Sequence, residues 1–513
     1  MLSLMMSFFK KNYIGILIIL LVILGFFYRI NGLNTNYSLW ADEASTARFA
    51  RGTLETGFPE IVLTGYKSGS YFTTSYLTAF SFSIFGQNEF AARFPAVIFG
   101  TFLIWLVYFL GKKIFNREIG LGAAMLITFS YIQIAWSRQA RGYSILEVFF
   151  LSTLYLFYLF SKTKKLIYGL FFTLFLLLTI WTHPLGLIII PIVFFYFLIR
   201  QNRFKFLSKT NLLILLAFLL VVFIYFDGFW QNLKWFTNEK LPLLLKGENF
   251  FSYYHSLFWR QYSLLTFLCF LGLINLWVKK EKESFWFFLL SLLVYFFMAS
   301  FFLHVPFEKY VLPIFPMIFL TAAYGLWQIS GLFFKDKKRM VLIFFLLVAF
   351  ILLNGNKFSL KPRTFYSLNY DMREIPEIDY KEIYQLVAER SKDKTTKEVA
   401  IIEIDADMPA WYLGEGIINF IPRNDVGEKR VDINTGFVFI KSLDDFKKVY
   451  QEHSYGFVSL IEHNYRFYPD GFVDYVRKNL ALEKREEFAP FSPDWNRWPV
   501  ELYSWGFEKD GKD

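Results

Sequence analysis

The chain alternates long apolar runs with short clusters of Lys and Arg, and this alternation restricts its fold more than any motif does. An apolar run long enough to cross a bilayer does so as a helix, because only a helix or a closed barrel satisfies all of its own backbone groups in lipid. About eleven such runs are read. They lie near 13–27, 94–110, 119–135, 144–160, 168–181, 185–198, 212–226, 262–278, 285–303, from the 304–310 turn to just before Lys335, and 340–353. Basic clusters follow the second, fourth, sixth, eighth and tenth runs, at Lys112-Lys113, Lys162 to Lys165, Arg200 to Lys209, Lys279-Lys280 and Lys335 to Arg339. Short loops rich in Lys and Arg stay on the cytoplasmic side. Together with Lys10 and Lys11 before the first run, they predict a cytoplasmic N-terminus and an outer C-terminus. A signal peptide competes for the first run, but no small-residue cleavage site follows Gly25 to Arg29, so a retained anchor is expected.

Composition agrees with that reading. A hydrophobic share of 55% is too high for an ordinary soluble enzyme. The 66 Phe fall mostly within the apolar runs, which ties the aromatic excess to lipid and helix packing rather than to base stacking. A net charge of +11 therefore predicts no nucleic-acid partner, since the basic residues mark loops at a membrane. The single Cys269 excludes an intrachain disulfide and a cysteine-based zinc site.

After Asn354 the long apolar runs stop and charge rises. Segments 399–404, 436–440 and 456–461 read as strands, alternating with helical stretches at 443–450 and 470–480. The expected fold class is thus a polytopic α-helical membrane protein with a C-terminal extracytoplasmic α/β domain. Its expected domains are a transmembrane domain over 1–355, containing a first outer loop at 30–92, and a soluble domain over 356–513. The latter shows no phosphate-binding glycine loop, zinc spacing or nucleophile elbow. A cap or acceptor platform is its plainest role.

Chemistry concentrates at the outer ends of the spans. Leu39-Trp-Ala-Asp42-Glu43-Ala44 places two adjacent carboxylates just after the first span. Such a pair either complements the dipole at a helix start or binds a cation or handles a proton. Arg138 and Arg141 sit in a very short outer loop after the third span, against the positive-inside pattern. Either they hold lipid headgroups or Asp42, or they face an anionic substrate. Lys309 opens the tenth span from the same side, and Glu147 follows Tyr143 by about one helical turn. His183 sits where spans five and six meet, as a ligand, a proton carrier or a helix-end residue satisfied by backbone. His255 lies in a second outer loop, 227–261, long enough to cover a site; His304 and Glu308 are four residues apart and able to share a helical face. An acid pair opposite outer cations suits a sugar carried on a polyprenyl phosphate or pyrophosphate. The cations would neutralise the phosphate leaving group while a carboxylate takes the acceptor's proton, which amounts to inverting transfer by single displacement.

Five segments then carry a resemblance. Trp40-Ala-Asp-Glu-Ala44, Phe85-Gly-Gln-Asn-Glu89-Phe-Ala-Ala-Arg93-Phe94, Ser137-Arg-Gln-Ala-Arg-Gly-Tyr143, His183-Pro-Leu-Gly186 and Lys309-Tyr310-Val-Leu-Pro313 occur in this order with matching topology. In these segments the chain resembles the GT-C membrane glycosyltransferases, most closely the bacterial branch related to protein O-mannosyltransferases and lipid A aminoarabinose transferases. The resemblance covers about residues 10 to 355. It implies a GT-C-like fold, a polyprenyl-phosphate-linked sugar donor, a lipid, glycan or protein acceptor, and an active site on the outer face of the plasma (inner) membrane. It implies Asp42 as the catalytic carboxylate with Glu43 beside it. Arg138, Arg141, Tyr143, Lys309 and Tyr310 are the expected donor-phosphate residues, and Glu89, Arg93, Glu147, His183, His255, His304 and Glu308 are further site candidates. Where many relatives have a Pro-Pro segment in the first outer loop, this chain has Ser68-Gly-Ser-Tyr-Phe-Thr73, so contacts there do not transfer. The cofactor is left unknown, a divalent metal being one option. A multi-span transporter, a polymerase or ligase of lipid-linked glycans, and a receptor are the competing classes. No internal repeat of the kind that marks transporters is visible.

Overall fold

The structure is a computed structural model that describes residues 2–33, 38–68, 71–200, 237–238, 241–242, 248–303, 305–334, 336–363, 379–395, 398–414, 416–432, 434–486 and 499–507. The seventh apolar run at 212–226, and His304, lie outside these described residues. In chain order the elements of the first 354 residues are α1 (Leu2–Ile30), α2 (Ala41–Thr56), a short ribbon of β1 (Glu60–Ile61) and β2 (Tyr66–Lys67), α3 (Phe72–Phe85), α4 (Glu89–Ile114), α5 (Arg117–Phe129), α6 (Tyr131–Trp136), α7 (Tyr143–Thr163), α8 (Leu166–Thr182), α9 (Ile189–Arg200), α10 (Phe251–Ser256), α11 (Ser263–Val278), α12 (Lys282–Phe302), α13 (Phe315–Phe333) and α14 (Lys337–Asn354). Two compact units emerge: Met1–Asn31, Gly69–Thr74 and Pro95–Arg363 form the first, and Gly32–Ser68, Ser75–Phe94 and Thr364–Asp513 the second.

The first unit is helical. Among the described residues five helices are long and apolar enough to cross a membrane by length and composition, six if the bent pair Phe251–Gln261 and Ser263–Val278 is one span. Two shorter apolar helices, Leu166–Thr182 and Pro184–Arg200, match expected runs five and six. The last run is found as α14, whose first turn carries Lys337, Lys338 and Arg339. The chain is thus a multi-pass membrane protein.

The expected continuous third span is not continuous. It breaks at Ser130 into α5 and α6, because the backbone there turns aside to pair with the segment after α14. Tyr131 N–H donates to the Lys357 carbonyl at 3.0 Å and Ser359 N–H to the Phe129 carbonyl at 2.8 Å. Interhelix packing elsewhere relies on missing side chains. A Cβ on Gly272 of α11 would lie 2.3 Å from the Thr321 carbonyl, and one on Gly325 of α13 would lie 2.2 Å from the Leu268 carbonyl. The two glycines let α11 and α13 approach backbone to backbone, as small residues do between helices in lipid.

The second unit combines α2, the ribbon and the 75–94 stretch with a mixed sheet. Its further elements are α15 (Tyr380–Arg390), β3 (Val399–Ile402), α16 (Asp407–Leu413), β4 (Ile418–Pro422), β5 (Val438–Ile440), α17 (Leu443–Glu452), β6 (Tyr455–Ile461), α18 (Phe472–Asn479), β7 (Ala481–Glu486) and β8 (Val500–Trp505). The six strands run in the order β5-β4-β3-β6-β8-β7. The first four are parallel, and β8 is antiparallel to both β6 and β7. Burial on every residue of β3 explains its unbroken Val-Ala-Ile-Ile run, as befits a parallel strand covered on both faces. The expected α/β character holds. Within this sheet β4, β7 and β8 were not expected: β4 carries Asn419 and Pro422, and the charged Ala481–Glu486 segment of β7 lacks apolar alternation.

Candidate active site

In the second unit, α2 begins at Ala41, so Asp42 and Glu43 occupy its first turn, where carboxylates are favoured by the helix dipole. Beyond that shared position the two acids differ. Glu43 is fully buried, and the Arg93 guanidinium grips it with Nε at 2.8 Å and Nη2 at 2.7 Å. Arg93 Nη2 also donates to the Ser38 carbonyl at 3.2 Å. Asp42, one residue earlier, remains partly exposed. Glu89 pairs with Lys381 at 3.1 Å.

Other acids gather at the connection between β3 and α16. Glu403 is buried and receives the Tyr384 hydroxyl at 3.1 Å. Burial, then the charge of Asp405, pushes its carboxyl up to about 8. Asp405 keeps some exposed surface, but its carboxyl is pushed up to about 6 by burial, followed by the charges of Asp407 and Asp42. That mutual influence puts Asp405 in the electrostatic neighbourhood of Asp42. Asp407 pairs with Arg48 of α2 at 2.5 Å. The sequence does not single out Arg48 and Asp407, because they lie 359 residues apart.

In the first unit, the turn between α6 and α7 carries Arg138 and Arg141, and Tyr143 opens α7. Arg138 is buried, and its Nη1 donates to the Arg29 and Asn31 carbonyls at 2.9 and 2.7 Å, closing the end of α1. Arg141 lies over the Tyr71 ring with its guanidinium carbon 5.7 Å from the centroid. Two local features allow this. A Cβ on Gly142 would meet Thr74 Oγ1 at 2.4 Å, so only glycine lets the turn come this close. Tyr71 itself adopts φ 72°, a left-handed conformation that costs a bulky side chain energy.

Of the expected donor residues, Arg141, Tyr143, Lys309 and Tyr310 gather here, while Arg138 is turned to the α1 carbonyls. Tyr143 and His183 have ring centroids 5.2 Å apart, and Tyr310 lies 6.4 Å from each. Lys309 Nζ is 5.7 Å from the Trp136 ring and 5.8 Å from that of Tyr310. Glu308, Lys309 and Tyr310 belong to the 3-10 turn Glu308–Ile314, which the Tyr295 hydroxyl holds by donating to the Tyr310 carbonyl at 2.5 Å. His183 Nδ1 accepts the Leu185 N–H at 3.1 Å, the helix-end arrangement, while its ring joins the aromatic cluster. Trp136 and Tyr71 complete that cluster without having been expected.

Two candidates stand elsewhere. Glu147 is buried on α7 with Oε1 accepting from Gln133 at 2.5 Å. His255 stacks on Phe251 and lines an apolar cleft of about 360 Å³ with Trp259, Phe270, Tyr295 and Phe296. Among the described residues no three His, Cys, Asp or Glu side chains are grouped so as to hold a metal ion.

Comparison with known proteins follows this geometry. The family model of dolichyl-phosphate-mannose-protein mannosyltransferases matches residues 72–226. An uncharacterized protein of Aquifex aeolicus is 26% identical over 283 residues, 53% of this chain and 55% of that protein. The dolichyl-phosphooligosaccharide-protein glycotransferase 1 of Pyrococcus horikoshii is 37% identical over 121 residues, 21% of this chain and 12% of that protein. The chain thus spans about half the length of the first of these relatives and far less of the second. Among solved structures, apo ArnT from Cupriavidus metallidurans superposes with a TM-score of 0.58 at 11% identity, covering 96% of this chain and 98% of that one. ArnT bound to undecaprenyl phosphate gives 0.54 at 13% identity, with the same coverage. The oligosaccharyltransferase AglB of Archaeoglobus fulgidus, in complex with an inhibitory peptide and a dolichol-phosphate, gives 0.56 at 12% identity over 95% of this chain and 75% of that one. The chain carries the fold seen in ArnT, with a C-terminal sheet domain.

Proposed function

We propose that the chain is a GT-C-type glycosyltransferase of the plasma (inner) membrane. It moves a sugar from a polyprenyl-phosphate carrier to a lipid, glycan or protein acceptor on the extracytoplasmic face. The observation that carries this reading is the cluster formed by Arg141, Lys309, Tyr143, His183 and Tyr310 at the ends of apolar helices. Cations seated against aromatic faces keep their positive field, which suits a phosphate head whose lipid chain lies among apolar spans. Arg138 braces the turn from behind through the α1 carbonyls. The cleft beside His255 offers an apolar lining of the kind a polyprenyl chain requires.

In this reading Asp42 takes the proton of the acceptor hydroxyl or amine as it attacks the sugar carbon, and the carrier phosphate departs neutralised by the cations. The sugar inverts because one displacement occurs. Glu43, already gripped by Arg93, is the structural member of the pair. The Lys clusters support a cytoplasmic N-terminus with the active site and the C-terminal domain outside. The ArnT and AglB structures hold undecaprenyl phosphate and dolichol-phosphate respectively, which supports a lipid-linked donor.

The test is release of polyprenyl phosphate by the purified full-length protein in lipid nanodiscs, loaded with undecaprenyl-phosphate sugars and a membrane extract as acceptor source. Carrier release coupled to sugar appearing on an acceptor is the expected result. Active protein that transports such a carrier or a free sugar without cleaving it would overturn the reading.

A further inference from the structure

The helix that carries Asp42 is held from a part of the chain more than 350 residues away. Arg48 of α2 is buried and bonds Asp407, the first residue of α16, at 2.5 Å. Arg51, one turn later on the same face, lies 4.5 Å over the Trp411 ring and donates Nη2 to the Trp411 carbonyl at 3.3 Å. Ahead of α2, the Leu39 N–H donates to the Tyr412 hydroxyl at 2.8 Å. Trp411 also stacks on Phe82 of α3 at 5.8 Å, and Tyr412 stacks on Tyr384 at 5.7 Å, so α16 is itself anchored on both sides. The charge of Asp42 in turn helps to raise the carboxyl of Asp405, two residues before Asp407.

We propose that Asp407 and Tyr412 are positioning residues for Asp42, so that the C-terminal part of the second unit holds the candidate base in place. This rests on the reading of Asp42 as the base. The physical argument is constraint. Asp42 lies in the first turn of α2, and the chain is pinned three residues before it at Leu39, immediately after it at Glu43, and along the next turns at Arg48 and Arg51. Arg48 cannot slide or rotate without stranding a buried guanidinium, which low-dielectric surroundings penalise heavily. The Tyr412 hydroxyl fixes the entry into the helix, where a small tilt moves the Asp42 carboxylate most. A displacement of about 1 Å at a reacting group lowers rate by about 100-fold even when substrate binding is untouched.

The experiment compares Asp407→Asn, Tyr412→Phe and Asp42→Asn in the full-length protein in nanodiscs, reading kcat at saturating undecaprenyl-phosphate sugar, donor KM and thermal midpoint. Asp407→Asn is expected to lower kcat per folded enzyme by about 10- to 100-fold with donor KM within about twofold, and to lower the thermal midpoint as well, because it leaves the buried Arg48 guanidinium without its carboxylate. The exchanged pair Arg48→Asp with Asp407→Arg is expected to regain a large part of the loss. A fully active Asp407→Asn and Tyr412→Phe beside an inactive Asp42→Asn overturns the inference alone. A loss of kcat that follows the loss of folded protein, without rescue by the exchanged pair, also overturns it. Normal turnover in Asp42→Asn overturns the base assignment and this inference with it.

Discussion

The surroundings of the acid pair in the second unit and the expected donor cluster in the first treat charge differently. In the second unit, carboxylates and guanidiniums meet directly: Glu43 with Arg93, Arg48 with Asp407, and Glu501 with Arg477 at 2.9 Å. In the first, Arg141 and Lys309 sit against aromatic rings, and Arg138 is spent on backbone carbonyls. An ion pair cancels most of the field of its members, whereas an aromatic face steadies a cation and leaves its field in place. The contrast separates a region built to hold a helix still from one suited to receive an anion. Glu43 belongs to the first kind of chemistry, and Asp42, partly exposed beside it, is the acid proposed as the base.

The most severe way to break this contrast is Asp42→Asn, which preserves shape and removes the proton acceptor. Turnover is expected to fall by about 10² to 10⁴ with folding retained. Measurement at saturating donor decides it, and a larger catalytic loss in well-folded Glu43→Gln would transfer the role to Glu43. The same Glu43→Gln variant tests the other side. Breaking a buried pair by neutralising one partner leaves Arg93 uncompensated and is expected to cost about 3–5 kcal/mol of stability. Denaturant or thermal unfolding should show that loss, and a stability equal to that of the unmodified chain would remove the distinction between the two acids.

A smaller effect is expected in the first unit. Arg141→Ala should weaken donor binding by about 1.5–3 kcal/mol, the worth of a hydrogen bond to a charged group. Arg141→Lys should recover only part of it, since lysine lacks the planar fork and stacks less well on Tyr71. Titration with undecaprenyl phosphate measures both. Unchanged affinity in Arg141→Ala would take the residue out of the donor site.

How much of this was legible follows from distance along the chain. The spans were readable because a bilayer demands a local property, a long apolar run, and the helices α1, α4, α7 and α12 appear where such runs lie. Asp42 and Glu43 were readable as an anomaly, two acids beside a membrane. Their division of labour was not, because Arg93 is 50 residues from Glu43 and Asp407 is 359 from Arg48. The break at Ser130 was hidden for the same reason: its cause is the backbone at 357–359, while the local sequence around it stays apolar. Likewise Gly142 beside Arg141 reads as an ordinary turn glycine until Thr74 is seen against it.

The subtlest test of the contrast concerns Glu403 and Asp405, two acids of the second unit whose carboxyls burial raises. Burial holds the Glu403 carboxyl up at about 8 and the Asp405 carboxyl at about 6, whereas both ionise near pH 4 in an unfolded chain. Between about pH 4 and pH 8 the folded state therefore binds more protons than the unfolded one. Stability must then fall as pH rises through that window and level off above it. Hydrogen exchange of the 399–402 and 455–461 strands in the full-length protein reads this locally, and opening is expected to be easier at pH 8.5 than at pH 5. Glu403→Gln imitates the protonated carboxyl, so it should flatten the dependence and leave the strands better protected than in the unmodified chain at pH 8.5. Protection that rises with pH, or a slope unaltered by Glu403→Gln, would show that Glu403 is ionised in the folded protein and matched by a positive charge, which would make the second unit uniformly ion-paired.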